Sequence, residues 1–229
     1  VYATPFTAAL LRRKLTETGL EGEVPIHEVA LGGKICLPPF EVTFVTLTHS
    51  IPEPSALAIR TPLGLVLHSG DWKFDPDPII GAPPDEEALR ALGEEGVLAM
   101  TNDSTNALVE GESGSEAGLQ ERLTALIGRF SQRVVVACFA TNVARLSSIA
   151  TAAKVHNREV ALVGRSLWRI DGVARETGLL KGLPPFLEDE AAAHLARDQV
   201  VLVCTGSQGE PRAALSQIAK GGHRNIRLE

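Results

Sequence analysis

The sequence predicts an α/β chain in two parts, with a sheet of neighbouring strands first and alternating strands and helices after it. Three observations carry this. Residues 25–67 hold short β-rich runs separated by turns. A Pro-rich stretch at 75–84 then breaks the pattern and marks a boundary, giving parts 1–84 and 85–229. Beyond it, short apolar runs without polar alternation recur between longer helical segments, the rhythm of parallel strands joined by crossovers in a three-layer α/β domain.

In the first part, Phe6, Leu10, Leu11 and Leu15 with Arg12, Arg13 and Lys14 between them predict an amphipathic helix from Pro5 to near Gly19. Strands are expected at 26–30, 41–48, 56–60 and 63–68, the last two joined by the turn Thr61-Pro62-Leu63-Gly64. In the second part, strands buried on both faces are expected at 96–101, 133–139, 159–163 and 199–204. Helices are expected at 115–130, 142–156, 166–177 and 211–220.

With 229 residues and 44% apolar content, the chain is long enough for one large or two small cores. A net charge of −6 argues against coating nucleic acid by bulk electrostatics and leaves a local basic groove open. Cys36, Cys138 and Cys204 are far apart, and two lie in Val-rich runs, so packed thiols in a reducing cytoplasm are expected rather than disulfides. No apolar stretch reaches membrane-spanning length, and no charged leader precedes an apolar run. The absence of an initiator Met predicts a piece of a longer polypeptide.

Two short stretches carry the chemistry. In Thr48-His49-Ser50-Ile51-Pro52-Glu53, His49 stands where an apolar run gives way to a loop, a position that aims an imidazole into a cleft. In His68-Ser69-Gly70-Asp71-Trp72-Lys73-Phe74-Asp75, a second apolar run ends in Gly70 and then in the carboxylate of Asp71, which could bridge two cations. Each has a plain alternative: a strand-end His is commonly solvent-facing, and Gly-Asp after a strand is ordinary turn chemistry.

These two stretches resemble the third and fourth metal-binding motifs of the metallo-β-lactamase fold as they occur in the ribonuclease J family. Four more are similar to signature segments of the β-CASP domain, the α/β insertion of the nucleic-acid-processing members. They are Asn102-Asp103-Ser104-Thr105-Asn106-Ala107, Phe139-Ala140-Thr141-Asn142, Gly164-Arg165-Ser166 and Thr205-Gly206-Ser207-Gln208-Gly209-Glu210-Pro211. The resemblance implies a partial metallo-β-lactamase αββα fold over 1–84, then a β-CASP domain with a mainly parallel sheet over 85–229, incomplete at its C-terminal end. It implies a zinc-dependent RNase, endonucleolytic and 5′-to-3′ exonucleolytic, in RNA maturation and decay. Two zinc ions, an RNA substrate, a homodimer or homotetramer, a cytoplasmic location and no membrane association come with it.

By the same resemblance His49 is a ligand to one metal, and Asp71 is the carboxylate shared by both. Ser50 and His68 position them. Asp103 and Ser104 form a polar cluster near the cleft, and Thr141, Asn142, Arg145, Ser207, Gln208 and Glu210 line an RNA or phosphate channel. As plain alternatives, Asn142 or Thr141 caps a helix, Glu210-Pro211 starts one, and Arg145, Arg165, Arg169 and Arg212 are solvated or paired. Trp72 and Trp168 are expected to pack rather than to stack on bases.

The departures matter as much. The family's first motif Asp, its H-x-H-x-D-H cluster and its later β-CASP histidines have no counterpart, and no two of the six histidines lie within four residues of each other. One His and one Asp fall short of the donors a zinc site needs, so this polypeptide alone is expected neither to hold the metal pair nor to cut RNA. Two other classes stay open: a small-molecule hydrolase of the same fold, and a non-catalytic RNA- or protein-binding module.

Overall fold

The computed structural model describes residues 1–227, and the chain divides into two compact units, the first Val1–Ser115 and the second beginning at Glu116.

The first unit opens with β1 (Tyr2–Ala3), α1 (Pro5–Thr18) and β2 (His27–Glu28), the two short strands pairing in parallel. Pro5 suits the first helical turn because its missing N–H would have no partner there. Thr4 makes no side-chain cap; Glu53 instead accepts a hydrogen bond from the Phe6 N–H at 2.8 Å and places its negative charge at the helix start. Gly19 closes the helix at φ 73°, as its sequence position predicts. The face α1 buries is Phe6, Ala8 and Ala9, while Leu10, Leu11 and Leu15 are half-buried.

Next come β3 (Lys34–Leu37), β4 (Phe40–Thr46), β5 (Ser55–Thr61), β6 (Gly64–His68), α2 (Glu86–Glu95) and β7 (Val97–Thr101). They build one sheet in the order β3-β4-β5-β6-β7, antiparallel until β7 joins β6 in parallel. The expected turn at Thr61–Gly64 is present, tied by the Thr61 hydroxyl donating to the Gly64 carbonyl at 2.9 Å. Val45, Ala56, Ala58, Leu65 and Leu67 cover one face with Leu92 of α2. Each fully buried Leu contributes about 1.5–3 kcal/mol there. Arg60 forks onto Glu95 at 2.8 and 2.5 Å and fastens the end of α2 to β5; that hydrogen bond holds the Arg60 pKa above its ordinary value and the Glu95 pKa below.

Two expectations need correction. The 96–101 run was expected as a strand of the second domain buried on both faces, yet β7 is an edge strand of the first sheet, with Leu98 63% and Met100 54% exposed. With α2 packed on that sheet as well, the break between compact units falls at Ser115/Glu116 and not at Pro84. The Pro-rich stretch interrupts secondary structure without ending the core.

The second unit runs α3 (Glu116–Ile127), β8 (Val134–Ala137), α4 (Val143–Val155), β9 (Glu159–Val163), α5 (Arg165–Glu176), β10 (Leu187–Glu188), α6 (Asp189–Ala193), β11 (Val200–Cys204) and α7 (Ala214–Ala219). Its sheet is parallel throughout, in the order β10-β9-β11-β8. Val200, Leu202 and Cys204 of β11 pack with Ala192, Ala214 and Ile218 on one face, while α4 and α5 pack on the sheet from the helices that cross between strands. This is the expected α/β architecture with a mainly parallel sheet. All three cysteines are free thiols; burial pushes Cys138 and Cys204 up to about 11, and Cys36 is exposed. No helix among the described residues is long and apolar enough to cross a membrane.

The helix expected at 211–220 begins later, at Ala214. Thr205, at the end of β11, sets that start: its hydroxyl accepts from the Ala214 N–H at 3.1 Å and its carbonyl from the Leu215 N–H at 3.0 Å. Glu210 and Pro211 therefore lie in a loop, where Glu210 accepts from the Ala213 N–H.

Candidate functional site

Strand direction decides which loops share an edge. Because β4 and β6 are each antiparallel to β5, and β7 is parallel to β6, the C-terminal ends of β4, β6 and β7 point the same way. His49 follows β4, Asp71 follows β6 and Asp103 follows β7, so all three leave the same edge of the first sheet. Loops at strand C-termini are where α/β folds place ligands.

Hydrogen bonds fasten these loops to one another. Thr48 pairs with Lys73 as an isolated antiparallel bridge, its hydroxyl donating to the Lys73 carbonyl at 2.6 Å and accepting from the Asp75 N–H at 3.0 Å. The segment bearing His49 is thereby held against the segment bearing Asp71. Below them, Asp75 is fully buried, with one carboxylate oxygen 3.1 Å from the Lys73 ammonium and the other accepting from the Asp77 N–H. Ser69 links the third loop: its hydroxyl accepts from the Asp103 N–H at 2.9 Å and donates to the Gly70 carbonyl.

The individual side chains then have defined surroundings. His49 Nδ1 lies 3.2 Å from the Ser50 hydroxyl, which can donate to or accept from that nitrogen and so holds the ring in either tautomer. His68 is exposed and bonds Thr101 at 2.7 Å, one strand away. Asp71 is exposed. Asp103 accepts from the Thr105 hydroxyl at 2.5 Å and the Thr105 N–H at 3.0 Å. Those two bonds, then the nearby His49, hold its pKa below the usual carboxylate value, so it stays ionised until pH falls through that lowered value. Ser104 is exposed, its hydroxyl 3.4 Å from Asn102 Nδ2. Trp72 packs on the core of the first unit and donates to the Asp103 carbonyl at 3.3 Å, the packing role expected of it. A cavity of about 410 Å³ opens beside Trp72, Lys73, Asp103 and Thr105.

In the second unit the remaining candidates lie at strand C-termini of the parallel sheet. Asn142 is the N-cap of α4, accepting from the Arg145 N–H at 2.9 Å. Arg145 is paired with the buried Glu116 at 3.3 Å, which joins α4 to α3. Thr141 is half-buried, and its carbonyl accepts from the Val143 N–H. Ser207, Gln208 and Glu210 are exposed, and Glu210 accepts from the Gln208 N–H at 3.0 Å. Gly206 has φ 118°, and a Cβ there would come within 2.9 Å of Leu215, so only glycine lets this loop fold onto α7.

Sequence reading missed two positioning residues, Thr48 and Asp75. Both lie inside the quoted motifs, and the Lys73-x-Asp75 spacing was the available sign of a local ion pair. Among the described residues, no group of three or more His, Cys, Asp and Glu is placed to hold a metal ion.

Residues 131–229 match the family model described as ribonuclease J, beta-CASP domain. The chain is 48% identical over 226 residues to ribonuclease J of Sinorhizobium meliloti, a match covering 99% of this chain and 40% of that relative. It is 40% identical over 233 residues to ribonuclease J 1 of Streptococcus pyogenes serotype M3, covering 100% of this chain and 41% of the relative. With ribonuclease J of Thermus thermophilus the identity is 36% over 231 residues, covering 100% and 40%. A crystal structure of a protein of unknown function from Enterococcus faecalis V583 shares the fold, with TM-score 0.60 at 16% identity over 88% of this chain and 52% of that one.

The parallel sheet of the second unit is α/β, and residues 131–229 within that unit are similar to the ribonuclease J beta-CASP domain. More particularly, the chain is ribonuclease J-like along its whole length, and it spans about 40% of the length of these relatives.

Proposed function

We propose that this chain contributes to a metal-dependent ribonuclease of the ribonuclease J type, which hydrolyses RNA phosphodiesters endonucleolytically and 5′-to-3′ exonucleolytically. The first unit corresponds to part of a metallo-β-lactamase domain, and the second to a β-CASP domain. The observation that supports this best is the common exit of His49, Asp71 and Asp103 at one sheet edge, in a chain 48% identical to a ribonuclease J.

A zinc pair is the metal the reading implies. The donors at this edge are one imidazole, His49, and one exposed carboxylate, Asp71, with Oδ1 of Asp103 already accepting from Thr105. Two donors do not by themselves fit a stable zinc site, which takes three or four protein ligands per ion. In this reading His49 and Asp71 supply two donors to a centre completed by further ligands. What this chain's own residues do is local: Ser50 holds the His49 ring through Nδ1, Thr48 holds the His49 and Asp71 segments together, and Ser69 keeps Asp103 beside them. The loops at Asn142 and at Ser207–Glu210 line the RNA path. A cytoplasmic homodimer or homotetramer completes the proposal.

The test is turnover by a polypeptide of ribonuclease J length that includes this chain. 5′-monophosphorylated RNA is expected to be cut, and a lactam and a thioester left intact. Turnover of the lactam or thioester with RNA untouched would overturn the reading in favour of a small-molecule hydrolase.

A further inference from the structure

The loop 47–54 that carries His49 is fastened at its base and on both sides of the histidine, and one fastening reaches a helix that the ribonuclease reading does not use. The Leu47 N–H closes the base by donating to the Pro54 carbonyl at 3.0 Å, next to the last ladder pair, Thr46 with Ser55. On the near side of His49, Thr48 ties the loop to Lys73. On the far side, Glu53 Oε2 accepts from the Phe6 N–H at 2.8 Å and ties the loop to the first turn of α1. His49, Ser50 and Ile51 lie between those two side-chain anchors.

The backbone at Glu53 is unusual. Its φ is 58°, in the left-handed region that favours glycine and, among other residues, asparagine and aspartate. Pro54 follows it, and a residue before proline is pushed towards extended backbone instead. The rings of Pro52 and Pro54 fix their own φ, so the turn in this half of the loop falls on Glu53. Strain of this kind persists only where surrounding contacts over-determine it, and it concentrates at functional sites.

The link to α1 also does more than cap a helix. Thr4 stands at the N-cap with a hydroxyl suited to the helix amides, yet it makes no cap bond and turns to the Thr7 hydroxyl at 3.4 Å. A cap from Thr4 would satisfy the helix and leave the loop free. A carboxylate brought from 47 residues away satisfies the amide and fixes the loop as well. What it grips is rigid, because Phe6, Ala8 and Ala9 bury the first turns of α1.

We propose that Glu53 is a positioning residue for His49. Its carboxylate pins the loop to α1 and, with Thr48 on the other side, sets the direction in which the imidazole leaves the sheet edge. The consequence for turnover rests on the ribonuclease reading, and the anchoring of His49 does not.

The experiment compares Glu53→Ala, Glu53→Asp and Glu53→Gln with the parent in two readouts. In this chain, NMR of isotope-labelled histidine at one fixed pH follows the His49 ring signals, assigned with His49→Gln. They are expected to move in Glu53→Ala and Glu53→Asp and to stay in place in Glu53→Gln, whose amide oxygen still accepts from Phe6. Aspartate suits a φ of 58° better than glutamate but falls one methylene short, so it tests the reach of the anchor in a backbone that tolerates it. In a polypeptide of ribonuclease J length that includes this chain, the Ala and Asp variants are expected to lower kcat on 5′-monophosphorylated RNA on the order of tenfold to 100-fold, with KM within about twofold. Glu53→Gln recovers most of that loss. Unmoved His49 signals and an unchanged kcat in the Ala and Asp variants, with only Tm lowered, would overturn the proposal and leave Glu53 as a helix cap. An equal loss in Glu53→Gln and Glu53→Ala would overturn it too, since charge and not the anchor would then matter. RNA left uncut by the parent counts against the ribonuclease reading alone, and the His49 signals still decide the role of Glu53.

Discussion

Asp75→Ala is expected to destabilise the first unit by about 3 kcal/mol, the lower end of the cost of breaking a buried ion pair. The carboxylate is completely buried, and both of its oxygens are in use, one by Lys73 and the other by the Asp77 N–H. The Lys73 side chain is 20% exposed, so water recovers part of the loss. Asp75→Asn keeps an acceptor for Asp77 and is expected to cost about half as much, since a neutral hydrogen bond is worth roughly 1 kcal/mol. Urea unfolding followed by tryptophan fluorescence reads the effect, because Trp72 lies in the first unit and Trp168 in the second. In a Trp168→Phe background the midpoint of the Trp72 transition is expected to fall at constant slope. A loss below 1 kcal/mol would mean that the Thr48–Lys73 bridge holds this edge without Asp75.

Gly164→Ala is the second large effect, expected to destabilise the second unit by roughly 2–4 kcal/mol from backbone strain and overpacking together. Gly164 has φ 135°, a conformation side chains rarely adopt, and an added Cβ would meet the Thr205 hydroxyl at 2.9 Å. Thr205 cannot give way without loss, because that hydroxyl accepts from the Ala214 N–H at the start of α7. The Trp168 transition is expected to shift while the Trp72 transition stays in place. If both shift equally, the two units unfold together and the effect is not local.

These two residues show what the sequence makes legible. Gly164 stands in one of those motifs, yet its need to be glycine comes from its φ of 135° and from Thr205, which follows a different strand. β9 was found at its predicted bounds because both its faces are covered, which leaves an apolar run with sharp ends. β7 looks much the same as a string of letters, but its partner is β6 and its Leu98 and Met100 are exposed. An apolar run reports strand propensity and is silent on which sheet the strand joins. α2 begins directly after the prolines at 83–84, whose break in the pattern hides the helix start although Asp85 accepts from the Ala88 N–H as a cap. Pro211 pointed to a helix start that Thr205 moves to Ala214.

The site divides in the same way. His49 and Asp71 were legible from strand ends followed by polar loops and from their likeness to known motifs. Their common edge was not, since it follows from β5 lying antiparallel between β4 and β6. Asn142 and Arg145 were read as possible phosphate contacts, while the structure gives each a local task, a helix cap and an ion pair with Glu116. Those tasks depend on partners far away in sequence or on local geometry that spacing alone does not express.

The most direct test of the central claim is zinc content, measured on a purified polypeptide of ribonuclease J length that includes this chain, beside its His49→Ala and Asp71→Ala variants. Bound zinc is expected in the parent and a loss of at least half of it in each variant, with Tm rising on zinc addition only in the parent. Equal zinc in all three would contradict the account and return His49 and Asp71 to ordinary loop residues.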